Sequence, residues 1–163
     1  VLLPACDQLA VKSPASAAHA AAEGGCETIL LAEDDEGARS LAARVLESAG
    51  YRLLVARDGR EAEALVREHG AHIDLAVLDV VMPHRSGREV ERALHGAGAR
   101  TPVLFTSGYS FATLPQQQLP DGSELLQKPY APGALLARVR RLLRRSARRG
   151  SERGPARDAN DTE

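Results

Sequence analysis

Four places along the chain carry residue types that together could bind a divalent cation and accept a phosphoryl group. Glu33, Asp34 and Asp35 follow the short apolar run Thr28 to Ala32, and Asp79 ends the run Ile73 to Leu78. Thr106 and Ser107 follow Pro102 to Phe105, and Lys128 follows Glu124 to Gln127. Carboxylates drawn within a few ångströms repel one another, and their pKa values rise unless a cation neutralises them. A hard ion such as Mg²⁺, which takes one or two carboxylates together with waters and phosphate oxygens, would do so. A lysine and a hydroxyl opposite the ion would donate to the remaining phosphoryl oxygens, and phosphoryl transfer depends above all on positioning and charge neutralisation. An aspartate held there can serve as nucleophile and form an acyl phosphate.

These residues can meet only if the chain folds so that the ends of four apolar runs share one edge. Its pattern provides that. After Thr28 to Ala32, Leu41, Val45 and Leu46 recur at helical spacing, and Gly50 is a helix stop. Tyr51 to Ala56 reads as a strand, Asp58-Gly59 as a turn, and Ala62, Leu65 and Val66 as a helix face ending at Gly70. Ile73 to Leu78 is a strand stopped by Met82-Pro83, Gly87 to Ala97 a helix with Val90 and Leu94 inward, and Pro102 to Phe105 a fourth strand. Pro115 and Pro120 limit any helix in 109–122 to a short, broken one. Glu124 to Gln127 is a fifth strand, and Pro132 to Ser146 a last helix whose stripe is Leu135, Leu136, Val139, Leu142 and Leu143. Strands alternating with amphipathic helices make right-handed crossovers and a parallel sheet covered on both faces, with ligands beyond the strands' C-terminal ends.

Composition bounds the rest. A chain of 163 residues, 44% apolar and 26% charged, can bury one core, and 3% aromatic content without Trp gives no stacking platform for single-stranded nucleic acid. The formal charge of −1 conceals seven arginines between Arg138 and Arg149, so the remainder carries roughly −8. Those arginines are either a solvated helix face running into a tail or a surface for an anionic partner. Cys6 and Cys26 form no disulfide or zinc framework, which favours a reducing compartment, and no apolar run reaches membrane-spanning length. Residues 1–26 read as a linker of small residues preceded by the stub Val1-Leu2-Leu3-Pro4 of an upstream domain. Residues 27–147 read as the globular domain, and 148–163, without periodicity, as a disordered tail.

Taken together, Ile29-Leu30-Leu31-Ala32-Glu33-Asp34-Asp35, Val77-Leu78-Asp79 with Met82-Pro83 and Gly87, Val103-Leu104-Phe105-Thr106-Ser107-Gly108, and Gln127-Lys128-Pro129 resemble the CheY-like receiver domain of two-component response regulators. The likeness covers about residues 27–146. It implies a flavodoxin-like (βα)5 fold, a parallel sheet of order 2-1-3-4-5 with two helices on one face and three on the other. It also implies that Asp79 is the phosphoacceptor. Glu33, Asp34, Asp79 and the backbone carbonyl of Val81 would hold Mg²⁺, Glu33 through a bound water, while Thr106 and Lys128 would bind phosphoryl oxygens. The donor would be a phosphohistidine on a sensor histidine kinase or a histidine phosphotransfer protein. Neither nucleic acid nor membrane is expected to touch this segment directly, and a cytoplasmic location follows. The domain phosphorylates and dephosphorylates itself rather than acting as an enzyme on other molecules.

Each residue also has a plainer role open to it. The acids at 33–36 could favour a helix start, Asp79 could end a strand, Thr106 and Ser107 could cap, and Lys128 could be solvated. A phosphatase of the haloacid dehalogenase type also uses an aspartate nucleophile, but it wants that residue after strand one and a second acid two positions on, where this chain has Val81. A switch in the family pairs the hydroxyl at Thr106 with an aromatic ring three residues before the lysine; here that position is Leu125. Output is therefore expected through a reshaped 107–122 segment. Val81 and Gly108, flanking the path of a hydrolytic water, cannot orient it, which implies slow self-dephosphorylation. The stub and linker, with Phe105 to Tyr109 and Leu126 to Tyr130, resemble the C-terminal receiver of a hybrid sensor kinase; a stand-alone single-domain regulator is the other possibility.

Overall fold

The computed structural model describes residues 26–96, 100–108, 120 and 122–151. In chain order they form β1 (Thr28–Ala32), α1 (Glu36–Ser48), β2 (Arg52–Ala56), α2 (Gly59–His69), β3 (Leu75–Asp79), α3 (Gly87–Gly96), β4 (Val103–Ser107), β5 (Glu124–Gln127) and α4 (Pro132–Ser151), with one 3-10 turn over Gly70–His72. All strand pairs are parallel and the sheet order is β2-β1-β3-β4-β5. That is the flavodoxin-like order expected from the sequence.

Alternation along the inner strands sorts the core into two layers. Leu30, Ala32, Ala76, Leu78, Val103, Phe105 and Leu125 face Ala62 and Val66 of α2 and Val90 and Leu94 of α3. Ile29, Leu31, Leu75, Val77, Leu104 and Leu126 face Ala42 and Leu46 of α1 and Leu135, Val139 and Leu142 of α4. β3 at the centre is buried along its whole length, as a strand covered on both faces must be. Its C-terminal residue, Asp79, is therefore a carboxylate delivered to the rim of the core by five residues with no freedom to slip register. The expected broken helix between β4 and β5 falls on 109–119, outside the described residues, as do the stub and nearly all of the linker in 1–26.

Two readings change. Asp58-Gly59 is not a free turn but the start of α2: Asp58 accepts a hydrogen bond from the Glu61 N–H, and a Cβ on residue 59 would lie 2.0 Å from the Arg85 carbonyl oxygen. Glycine is there for close approach to the loop after β3. The last helix continues to Ser151 instead of ending at Ser146, into the stretch read as a disordered tail. Ala147, Arg148 and Arg149 are good helix formers, so losing the apolar stripe removes the packing without stopping the helix.

Candidate functional site

The C-terminal ends of β1, β3, β4 and β5 lie side by side, and each contributes to one cluster. Asp79 and Thr106 are register partners across β3 and β4. The Val80 N–H donates to the Thr106 carbonyl (2.9 Å) and the Lys128 N–H to the Ser107 carbonyl (2.8 Å), so the chain leaving β3 and β5 is fixed against β4. The Glu33 N–H donates to the Ala56 carbonyl at 3.2 Å, which holds the acidic turn against β2. Gly87 closes the opposite wall: a Cβ there would sit 2.3 Å from the Asp79 carbonyl oxygen.

Within this frame the Lys128 ammonium bridges two carboxylates. Its Nζ lies 2.6 Å from Asp79 Oδ2 and 2.7 Å from Glu33 Oε1. Asp79 Oδ1 accepts from the Val81 N–H at 3.2 Å. Glu33 and Asp79 are buried whereas Asp34 is exposed, and one carboxylate oxygen from each of the three lies within 4.8 Å of the others. Burial, seconded by the negative charge of Asp79 and opposed by Lys128, pushes the Glu33 carboxyl above the ordinary carboxylate range. Burial would pull the Lys128 ammonium down, but its bonds to Asp79 and Glu33 outweigh it and hold the group above the usual lysine range. Half-buried Tyr130 is pushed up by burial and by the nearby Glu33 charge.

Three acids against one ammonium leave the cluster with excess negative charge, and the donors are all oxygens. Oxygens sharing one Mg²⁺ lie about 3–4 Å apart, so these three need to close by only about 1 Å. The donor set therefore fits a hard divalent cation. Thr106 is buried at the rim beside Asp79. Val81, by contrast, is more than half exposed.

The structure brings together Glu33, Asp34, Asp79, Thr106 and Lys128, and separates Asp35 from them in role. Asp35 caps α1, accepting from the Ala38 N–H at 2.7 Å; for that residue the plainer role is the actual one. Leu125 is buried in the core opposite Phe105, its register partner. The sequence reading missed Arg39, whose Nη1 donates to the carbonyls of Glu33 (2.9 Å) and Asp34 (3.1 Å) and so holds the acidic turn from behind. A cation in the first turn of a helix opposes the dipole, and that misfit was the available signal. It missed also the capping of α3, where Glu89 accepts from both the backbone and the hydroxyl of Ser86 and is held at about 2.

Comparison with known proteins agrees with this geometry. Residues 29–140 match the family described as response regulator receiver domain. The chain is 39% identical over 119 residues to the response regulator MprA of Mycolicibacterium vanbaalenii, covering 72% of this chain and 51% of the relative. It is 30% identical over 115 residues to the uncharacterized transcriptional regulatory protein YbdJ of Bacillus subtilis, covering 71% and 50%. The chain thus spans about half the length of these curated relatives. Among solved structures, the receiver domain of the hybrid histidine kinase CckA superposes with a TM-score of 0.62 at 36% identity, over 71% of this chain and 98% of that one. A response regulator receiver protein of Sinorhizobium medicae gives 0.66 at 28% identity, over 73% and 95%.

Proposed function

We propose, from the premise that this chain belongs to the response regulator receiver domain family, that Asp79 is its phosphoacceptor. The observation that carries the reading is the Lys128 ammonium, 2.6 Å from Asp79 Oδ2, at a strand edge where Glu33 and Asp34 approach within 4.8 Å. In the reaction an Asp79 carboxylate oxygen attacks the phosphorus of a phosphohistidine. The new O–P bond forms as the P–N bond breaks, and the imidazole leaves with the electron pair and takes up a proton from solvent. Lys128 and the Thr106 hydroxyl donate to phosphoryl oxygens. Asp34, Asp79 and the Val81 carbonyl, with Glu33 through a bound water, would hold Mg²⁺, which would supply charge neutralisation for the phosphoryl oxygens.

The donor is a sensor histidine kinase or a histidine phosphotransfer protein. The likeness to the receiver domain of a hybrid histidine kinase supports a place in such a kinase, and the likeness to a response regulator receiver protein supports a stand-alone regulator. Either setting places the domain in the cytoplasm; among the described residues no helix is long and apolar enough to cross a membrane. The test is incubation with acetyl phosphate and Mg²⁺, read by intact mass. A gain of one phosphoryl group in wild type and none in Asp79→Asn is expected; equal labelling of both would assign the acceptor elsewhere.

A further inference from the structure

Two glycines pin the loop between β3 and α3, one at each end. Gly87 lets α3 start against Asp79, since a Cβ there would sit 2.3 Å from the Asp79 carbonyl oxygen. Gly59 of α2 does the same for the outer arm of the loop. A Cβ on it would sit 2.0 Å from the Arg85 carbonyl oxygen and 2.4 Å from the Arg85 Cβ. The φ of Gly59 lies outside the left-handed region, so space alone reserves the position for glycine. Further contacts converge on the same arm. The Gly59 N–H donates to the Pro83 carbonyl at 3.4 Å. The Arg85 guanidinium reaches Glu63 of α2 at 3.4 Å and Glu89 of α3 at 3.1 Å. His84 Nε2 lies 4.0 Å from Oδ2 of Asp58, the residue that caps α2. His84 itself stands at φ 69°, a conformation that a residue other than glycine keeps only where its surroundings impose it.

Val81 lies inside this loop, between two anchored neighbours. On one side Val80 donates to the Thr106 carbonyl at 2.9 Å and accepts from the Gly87 N–H at 3.3 Å. On the other, Met82 is buried in the layer that holds Ala62 and Val66 of α2. The Val81 side chain is more than half exposed and anchors nothing in the core. The direction of its carbonyl therefore depends on the two flanking anchors, and the outer one is α2. Resting on the reading that this carbonyl is a metal ligand, we propose that Gly59, with Arg85 seated on it, is a positioning residue for the metal site. The N-terminus of α2 then sets the carbonyl of Val81 beside Asp79, although no side chain of α2 enters the site. An exposed ion pair alone would do little. The backbone contact at Gly59 is the stiff element, and the Arg85 guanidinium supplements it.

The test is Mg²⁺ affinity, measured by calorimetry on the full 163-residue chain well below its melting temperature, where the Kd of a folded protein does not register stability. Gly59→Ala should weaken Mg²⁺ binding about tenfold, as the loss of a group that orients a ligand does. Arg85→Ala should weaken it about threefold, and it carries the test alone if Gly59→Ala does not fold. Arg85→Lys, whose ammonium can reach only one of the two carboxylates, should fall between Arg85→Ala and wild type. Glu124→Gln, which loosens the domain at the other end of β5, should stay within about twofold of wild type. Acetyl phosphate labelling of Gly59→Ala should be slow at low Mg²⁺ and recover the wild-type rate at saturating Mg²⁺. Unchanged affinity in a folded variant of either residue, beside normal wild-type binding, would overturn the positioning role and leave the Asp79 reading intact. Equal weakening by Glu124→Gln, or a labelling rate that stays low at saturating Mg²⁺, would overturn it too. A wild type that binds no Mg²⁺ would instead sink the metal-site reading, and this inference with it.

Discussion

Replacing Asp79 by Asn should stabilise the metal-free protein, although it breaks a salt bridge. At an effective dielectric constant of about 20, the Asp79 carboxylate and the Lys128 ammonium at 2.6 Å attract by about 6 kcal/mol. Carboxylate oxygens of Glu33 and Asp34 lie no farther than 4.8 Å from that of Asp79, and each repels it by about 3.5 kcal/mol or more. The two repulsions together match the attraction. What remains is the cost of keeping a charged carboxylate out of water, several kcal/mol for a well-buried ion. Asn fits the same space, and its one oxygen can accept from Lys128 or from the Val81 N–H but not both, a loss of about 1 kcal/mol. The net expectation is a gain of about 2 kcal/mol at pH 7, about 8 °C in Tm for a domain of this size.

Urea and thermal unfolding in EDTA measure this directly. Adding Mg²⁺ to about a hundred times its Kd should stabilise wild type by about 2.7 kcal/mol, and the variant, lacking one ligand carboxylate, by less. The stability gap should therefore close or change sign. An Asn variant less stable than wild type in EDTA would mean that the attraction to Lys128 dominates, and the reasoning from crowded acids would fail.

Glu124→Gln should cost about 1.5 kcal/mol at pH 7, because three arginines lose a charged partner. Burial pushes Glu124 up but Arg141 and Arg138 outweigh it and hold its pKa below 4.5; its stabilisation is complete above 4.5 and fades as pH falls through the folded value, so a gap constant down to pH 2 would refute the assignment. Arg39→Ala should lose about 2 kcal/mol in urea unfolding and weaken Mg²⁺ binding several-fold by calorimetry, since two carbonyls of the acidic turn lose their donor; unchanged Mg²⁺ affinity would deny it a positioning role. The phosphorylated protein should persist for minutes or longer, and loss of label within about a few seconds would show that some group other than Val81 or Gly108 orients the water. Amide exchange with and without beryllofluoride should change across 107–122; no change there would place the output surface elsewhere.

Most of the fold was legible because each inner strand has one job. Ile29 to Ala32 and Leu75 to Leu78 are uninterrupted apolar runs, which only a strand covered on both faces tolerates. The glycines and acids after them mark where the chain turns to a helix. What escaped were features decided by contacts far apart in sequence. Gly59 looks like turn chemistry, yet its reason is the backbone of Arg85, 26 positions on. The end of α4 escaped because a helix stripped of its apolar stripe resembles a tail in composition, and arginine and alanine continue it regardless.

The site divides the same way. Residue types announced Glu33, Asp34, Asp79 and Lys128, because acids and a lysine at strand ends have a narrow range of uses, and folding then placed them within reach. Asp35 has the same chemistry one residue on, but the N–H groups of the α1 start claim it. Composition treats the three acids of this turn as equivalent; the rotation between successive residues does not. One carboxylate goes to the core rim, one to solvent beside it, and one to the helix. Arg39 then fixes that division by binding the carbonyls of Glu33 and Asp34. The acidic turn is therefore held by its backbone, and the carboxylates of Glu33 and Asp34 stay beside that of Asp79.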